Sequence, residues 1–150
     1  MKTMVCVDHL GYSGFNYEAF VSINSVVADL EEVSIATVDV TNKFIDIKTA
    51  VYNLTEMHSF SDGVLMASSL RNAKRVLACA NNAKKVLYLY DLDWTSSIMK
   101  YDEIHSVLSD KRLRIICRSK SHQDALKRSF GIDAVILKKF DLREIWNLLE

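Results

Sequence analysis

Apolar residues along this chain fall into two alternating kinds of segment. Short continuous runs cover Met4–Leu10, Val33–Val38, Gly63–Ala67, Lys85–Tyr90, Leu113–Cys117 and Ala134–Leu137. Their brevity and their β-branched and aromatic content predict strands. Between them, apolar residues recur at helical spacing. Phe20, Ile23, Val27 and Leu30 predict a helix over Asn16–Leu30. Leu70, Ala73, Val76, Leu77 and Ala80 predict one over Leu70–Asn81. Shorter patterns predict helices over Tyr101–Ser109, Ser121–Phe130 and Leu142–Leu149, with Gly131 just past the end of one and Asp141 as N-cap of another. The stretch Lys43–Glu56 reads two ways: Phe44–Lys48 as a short strand, Ala50–Met57 as a turn or two of helix.

Strands that alternate with helices imply βαβ units and a parallel sheet. Runs such as Val86-Leu87-Tyr88-Leu89-Tyr90 lack alternating polarity, as expected of strands covered on both faces. The expected fold class is α/β, a single Rossmann-like three-layer αβα domain over residues 1–150, with a mostly parallel sheet of about six strands. The preferred strand order is 3-2-1-4-5-6, with the flavodoxin-like order behind it.

In such sheets ligands bind beyond the carboxyl ends of the strands. That rule selects Asp8, His9, Asp39, Ser68, Ser69, Asp91 to Trp94, Arg118, Ser119, Lys138 and Lys139. The turn after the first run, Gly11-Tyr12-Ser13-Gly14, leads into a helix N-terminus. It reads either as a ligand-binding loop or as a tight turn that needs glycine at positive φ. Its spacing is GxxG, so neither the dinucleotide fingerprint nor the P-loop is present. Asp91 and Asp93 form a DxD pair that suits a divalent metal on a diphosphate. Alternatively, Asp91 only holds its loop while Trp94 packs on the sheet edge. His9 is a candidate base. No metal-ligand cluster and no GxSxG elbow occur.

Composition narrows the picture further. The 150 residues carry 19 basic and 19 acidic side chains, so net charge indicates neither nucleic acid nor an anionic membrane as partner. Arg118, Lys120, Lys127 and Arg128, with Lys111, Arg112 and Arg114 upstream, would meet phosphates or an acidic partner if they gathered on one side. Cys6, Cys79 and Cys117 are widely spaced and odd in number, which predicts buried thiols in a reducing compartment. The N-terminus lacks a signal-peptide core, and no run reaches the length of a membrane span. A cytoplasmic location is expected, the host cytoplasm if the protein is viral. No resident cofactor is expected.

The segments VDHLGYSGFNYE, DGVLMASS, KKVLYLYDLDW and RIICRSKSHQDALKRSFG together resemble the N-terminal, acceptor-side domain of a GT-B glycosyltransferase, of the divergent kind found in large DNA phages. The resemblance implies one Rossmann-like half of a two-domain enzyme, with the donor-binding half supplied by a partner subunit or a second copy. It places His9, Gly11, Gly14 and the Asp91–Trp94 loop at the cleft, with His9 or Asp8 as base toward an acceptor hydroxyl. The full set of expected ligand-binding residues is Gly11, Tyr12, Ser13, Gly14, Ser68, Ser69, Asp91, Asp93, Trp94, Arg118 and Ser119. The alternative is a non-catalytic phage-type protein that binds and redirects a host protein, with Tyr12, Phe15, Tyr17 and Trp94 as anchors. A flavodoxin-like or receiver-like domain fits poorly. The first run ends in Asp8-His9 rather than an acidic cluster, and the fifth ends in Arg118-Ser119 rather than lysine.

Overall fold

Seven parallel strands form one open sheet: β1 (Thr3–Cys6), β2 (Val33–Thr37), β3 (Ala50–Asn53), β4 (Val64–Ala67), β5 (Lys84–Leu89), β6 (Leu113–Cys117) and β7 (Val135–Ile136). Their spatial order is β3-β2-β1-β4-β5-β6-β7. The computed structural model describes residues 1–29, 31–95 and 98–150. Among the described residues four helices connect strands, α1 (Gly14–Ala28), α2 (Leu70–Ala78), α3 (Tyr101–Leu108) and α4 (Lys120–Phe130), and α5 (Leu142–Leu149) follows β7. Leu30, expected to end the first helix, lies outside the described residues.

The layers follow from strand alternation and crossover handedness. Successive residues on a strand point to opposite faces. Met4 and Cys6 therefore enter the core beneath α2, α3 and α4, while Val5 and Val7 enter the core beneath α1 and α5. From β1 the chain moves left to β2, and from β4 onward it moves right. Right-handed crossovers then place α1 on one face and α2, α3 and α4 on the other. The strands β4, β5 and β6 are buried on both faces over most of their length and read as apolar runs, whereas the edge strand β3 is mostly exposed.

The stretch around residues 38–53 resolves differently from both expectations. Residues 38–49 form neither strand nor helix, and the strand is Ala50–Asn53, followed by a 3-10 helix over Leu54–Ser59. Phe44, Ile45 and Ile47 pack on the α1 face, where a crossover helix would otherwise sit. The side chain of Asn24 on α1 pairs with their backbone: Nδ2 donates to the Asp46 carbonyl at 2.7 Å, and Oδ1 accepts from Lys48 N–H at 2.9 Å. Two backbone groups of the segment are thus paired outside the sheet.

Counting β3 changes the topology. The six runs alone stand in the order 2-1-3-4-5-6, because Val64–Ala67 lies beside β1 and not at the far edge. Only with β3 added outside β2 does the order become 3-2-1-4-5-6-7. The second helix also stops at Ala78, short of Asn81. Cys79 turns to an extended ψ of 122°, and the Asn81 side chain donates back to the Met57 carbonyl at 3.2 Å.

Candidate functional site

The order of strands reverses between β1 and β4, and there the loops leaving the two carboxyl ends part. A crevice of about 210 Å³ opens at this point, lined by Asp8, His9, Ser13, Gly14, Ser68, Tyr90, Asp91 and Asp93, with Phe15 and Asn16 behind them.

The crevice is built on a device used three times. Ser13, Ser69 and Ser119 each follow a strand in extended conformation and cap the next helix. Each Oγ accepts from the backbone N–H three residues on, at Asn16, Asn72 and His122. In the first two cases the third residue is asparagine, and its side chain reaches back to β1 or to the loop that leaves it. Asn16 Nδ2 donates to the carbonyls of His9 and Gly11 at 2.9 and 2.8 Å. Both amide protons are spent there, so His9 Nδ1, at 3.5 Å, is not held by a third bond. Asn72, fully buried, donates to the Cys6 carbonyl at 3.3 Å and to Asp8 Oδ1 at 3.0 Å. Ser69 Oγ donates to the same Oδ1 at 3.1 Å. Asp8 is therefore fixed through one oxygen, and Oδ2 has no hydrogen-bond partner among the described residues.

The two carboxylates of the DxD pair are used separately. Asp93 Oδ2 accepts from Leu70 N–H at 3.0 Å and so occupies the N-terminus of α2. Burial pushes its carboxyl up to about 6, against that hydrogen bond and with a contribution from the charges of Asp8 and Asp91. Asp91 instead pairs with Arg118 at 3.3 Å, and the Arg118 guanidinium lies 3.9 Å from the centre of the Tyr90 ring. Among the described residues no group of three or more His, Cys, Asp or Glu is placed to hold a metal ion.

At Gly14 the constraint is room beside Tyr90, not φ. A Cβ there would lie 2.7 Å from Tyr90 Oη, and neither Gly11 nor Gly14 has positive φ. The tight-turn reading at positive φ thus does not hold. Gly11 stands against the His9 ring and outside the crevice. Tyr12 is 73% exposed and meets Phe44 edge-on. Trp94 faces away from the crevice and packs edge-on against Phe130. Ser119 caps α4 and bonds Ser121. Asp39 holds Thr41 at the end of β2.

The structure therefore brings together Asp8, His9, Ser13, Gly14, Ser68, Asp91 and Asp93, with Ser69 and Arg118 supporting carboxylates beside them. It leaves Gly11, Tyr12, Trp94 and Ser119 apart. Sequence reasoning passed over Asn16, Asn72 and Tyr90. The first two carry a signal, a serine cap followed three residues later by asparagine at both Ser13 and Ser69. Of the four expected interface anchors, Phe15 is in the core and Trp94 rests on Phe130, so they form no common exposed patch.

Electrostatically the crevice is acidic. Asp8, Asp91 and Asp93 converge on it, and one helix N-terminus is already filled by a carboxylate. The nearby Arg118 is committed to Asp91. Such a site suits hydroxyl or amine ligands better than phosphate. Comparison with protein-family models, with curated proteins and with solved structures finds no match.

Proposed function

We propose that this domain is the acceptor-side half of a glycosyltransferase-like protein, with the β1/β4 crevice taking a hydroxyl-bearing acceptor. The observation that carries the reading is Asp8. One oxygen is fixed by Ser69 and Asn72, and the other is open to the crevice. In the transfer step the acceptor oxygen would attack the anomeric carbon of the donor sugar. Its proton would pass to Asp8 or His9, and the diphosphate would leave with the bonding electrons. The acidic crevice disfavours the diphosphate, so the donor belongs on a second half or a second copy facing this edge.

The test is a titration of isotope-labelled protein followed by NMR, with a panel of neutral and amino sugars against UDP-sugars and free nucleotides, with and without Mg²⁺. Saccharides are expected to move the amides of Asp8, Ser69 and Tyr90, and Asp8→Asn to weaken that response about tenfold. Nucleotide binding in the crevice, or no response to any saccharide, rejects the acceptor reading. The second reading, a non-catalytic interaction protein, then gains weight from Tyr12 and Tyr17, which stand 73% and 53% exposed.

A further inference from the structure

The basic residues of the sequence do not gather on one side. Arg118 stands at the carboxyl end of the sheet, whereas Arg112 and Arg114 stand at the amino end of β6, beside Lys84 and Lys85 at the start of β5. There they line a groove of about 720 Å³, on the opposite edge of the sheet from the crevice.

Five cations and two carboxylates line this groove: Lys84, Lys85, Lys111, Arg112 and Arg114 against Asp110 and Asp133. Both carboxylates are already answered. Arg112 grips Asp110 through two nitrogens at 3.0 and 2.7 Å and holds its carboxyl down at about 2. Lys127, outside the groove, pairs with Asp133 at 2.8 Å. The lysines of β5 are held by neutral oxygens and form no ion pair among the described residues. Lys84 Nζ donates to the Leu149 carbonyl at 2.6 Å. Lys85, only 5% exposed, donates to the carbonyls of Asn81 and Ala83 and to the Asn81 side chain. Lys111 and Arg114 are exposed and have no ion-pair partner among the described residues. The exposed Glu150, one residue beyond Leu149, is not part of the lining.

We propose that this groove docks an acidic segment of a partner protein. The surplus of positive charge sets the sign of the partner. Two features favour a peptide over nucleic acid. The lining contains no aromatic side chain on which a base could stack. Carboxylates at Asp110 and Asp133 interrupt the cations, which a peptide matches by spacing its charges and a phosphodiester chain, charged at every unit, does not. Partly exposed aliphatic groups at Ile132 and Val135 offer seats for Leu or Val side chains between the acidic ones. The inference does not depend on what the crevice binds.

The test is fluorescence anisotropy on the whole chain with two labelled probes, a peptide alternating Glu with Leu or Val and an oligothymidylate. Saturable peptide binding that weakens with salt is expected, with the oligothymidylate weaker. The double variant Lys111→Glu/Arg114→Glu should raise the peptide Kd about tenfold or more. Both residues are exposed, so its melting temperature should stay close to that of the parent. Lys138→Glu/Lys139→Glu, beyond the other end of β7, should leave the Kd unchanged. No saturable peptide binding up to about 1 mM overturns the proposal. So does an equal loss in both variants, or an oligothymidylate bound as tightly as the peptide.

Discussion

At Asp93, burial and a helix N-terminus pull in opposite directions. The amide of Leu70 favours the carboxylate, yet removal from water outweighs it and pushes the carboxyl up to about 6. The folded chain therefore holds a proton that the unfolded chain has released, from the ordinary aspartate value near 4 up to about 6. Over that window the native state binds more protons, so this group's contribution to stability falls as pH rises and is flat above it. Asp93→Asn keeps an oxygen for the Leu70 amide without the charge. It is expected to melt higher than the parent at pH 7.5 and to lose that advantage by pH 4. Thermal melts across pH check this, and an unchanged difference would mean Asp93 titrates like an exposed aspartate. At Gly63 the requirement is steric. Its φ is 92°, and a Cβ would stand 2.3 Å from the Lys2 carbonyl, so only glycine closes the turn into β4 beside β1.

The helices α1, α2 and α4 start alike, each with a serine in extended conformation that receives an amide from the first turn. Their consequences differ. Ser119 supports only its own helix and a neighbouring hydroxyl, whereas Ser69 also donates to Asp8. Loss of a cap costs about 1 kcal/mol. Ser119→Ala and Ser69→Ala should each lower stability by about that amount. Only Ser69→Ala should couple to Asp8→Asn, with about 0.5 kcal/mol or more of non-additivity. Denaturant melts of the single and double variants give the cycle, and additive effects would remove Ser69 from the support of Asp8. The repeated serine-to-asparagine spacing was legible in the residues themselves, at Ser13-Asn16 and Ser69-Asn72. Its meaning was not, because Asn72 reaches the end of β1 and Asn16 the loop beyond it, and only the folded sheet brings β1 beside Asn72.

Across the whole molecule, the last helix is tied back to the first strand. Trp146 on α5 donates its indole N–H to Thr3 Oγ1 at 2.9 Å, in a part of the core where Thr3 is 1% exposed. The bond joins residues 143 positions apart and links α5 to β1. Thr3→Val keeps the shape but leaves the indole N–H unpaired, a cost of about 1–3 kcal/mol. Thr3→Ser restores the hydroxyl and should recover most of it. Urea unfolding of the three proteins decides whether the tie contributes, and equal midpoints for Thr3→Val and the parent would show that it does not. The same core holds another such bond, Tyr88 Oη donating to the Leu137 carbonyl at 2.9 Å. No helix among the described residues is long and apolar enough to cross a membrane.

Local sequence determined the α/β class, the parallel sheet and most element positions, because apolar spacing and capping act over a few residues. Leu113–Cys117 and Leu142–Leu149 stand where their patterns place them. It also nominated the strand ends that bear the candidate site. Tertiary structure decided the rest. The strand at Ala50–Asn53 forms by pairing with the edge of β2, and Asn24 on α1 holds the backbone of the segment before it. Which strand ends share a crevice, why a Cβ at Gly14 would press on Tyr90, and how the cations divide between two ends of the sheet all depend on distances between segments far apart in sequence. Those distances exist only once the strands have paired.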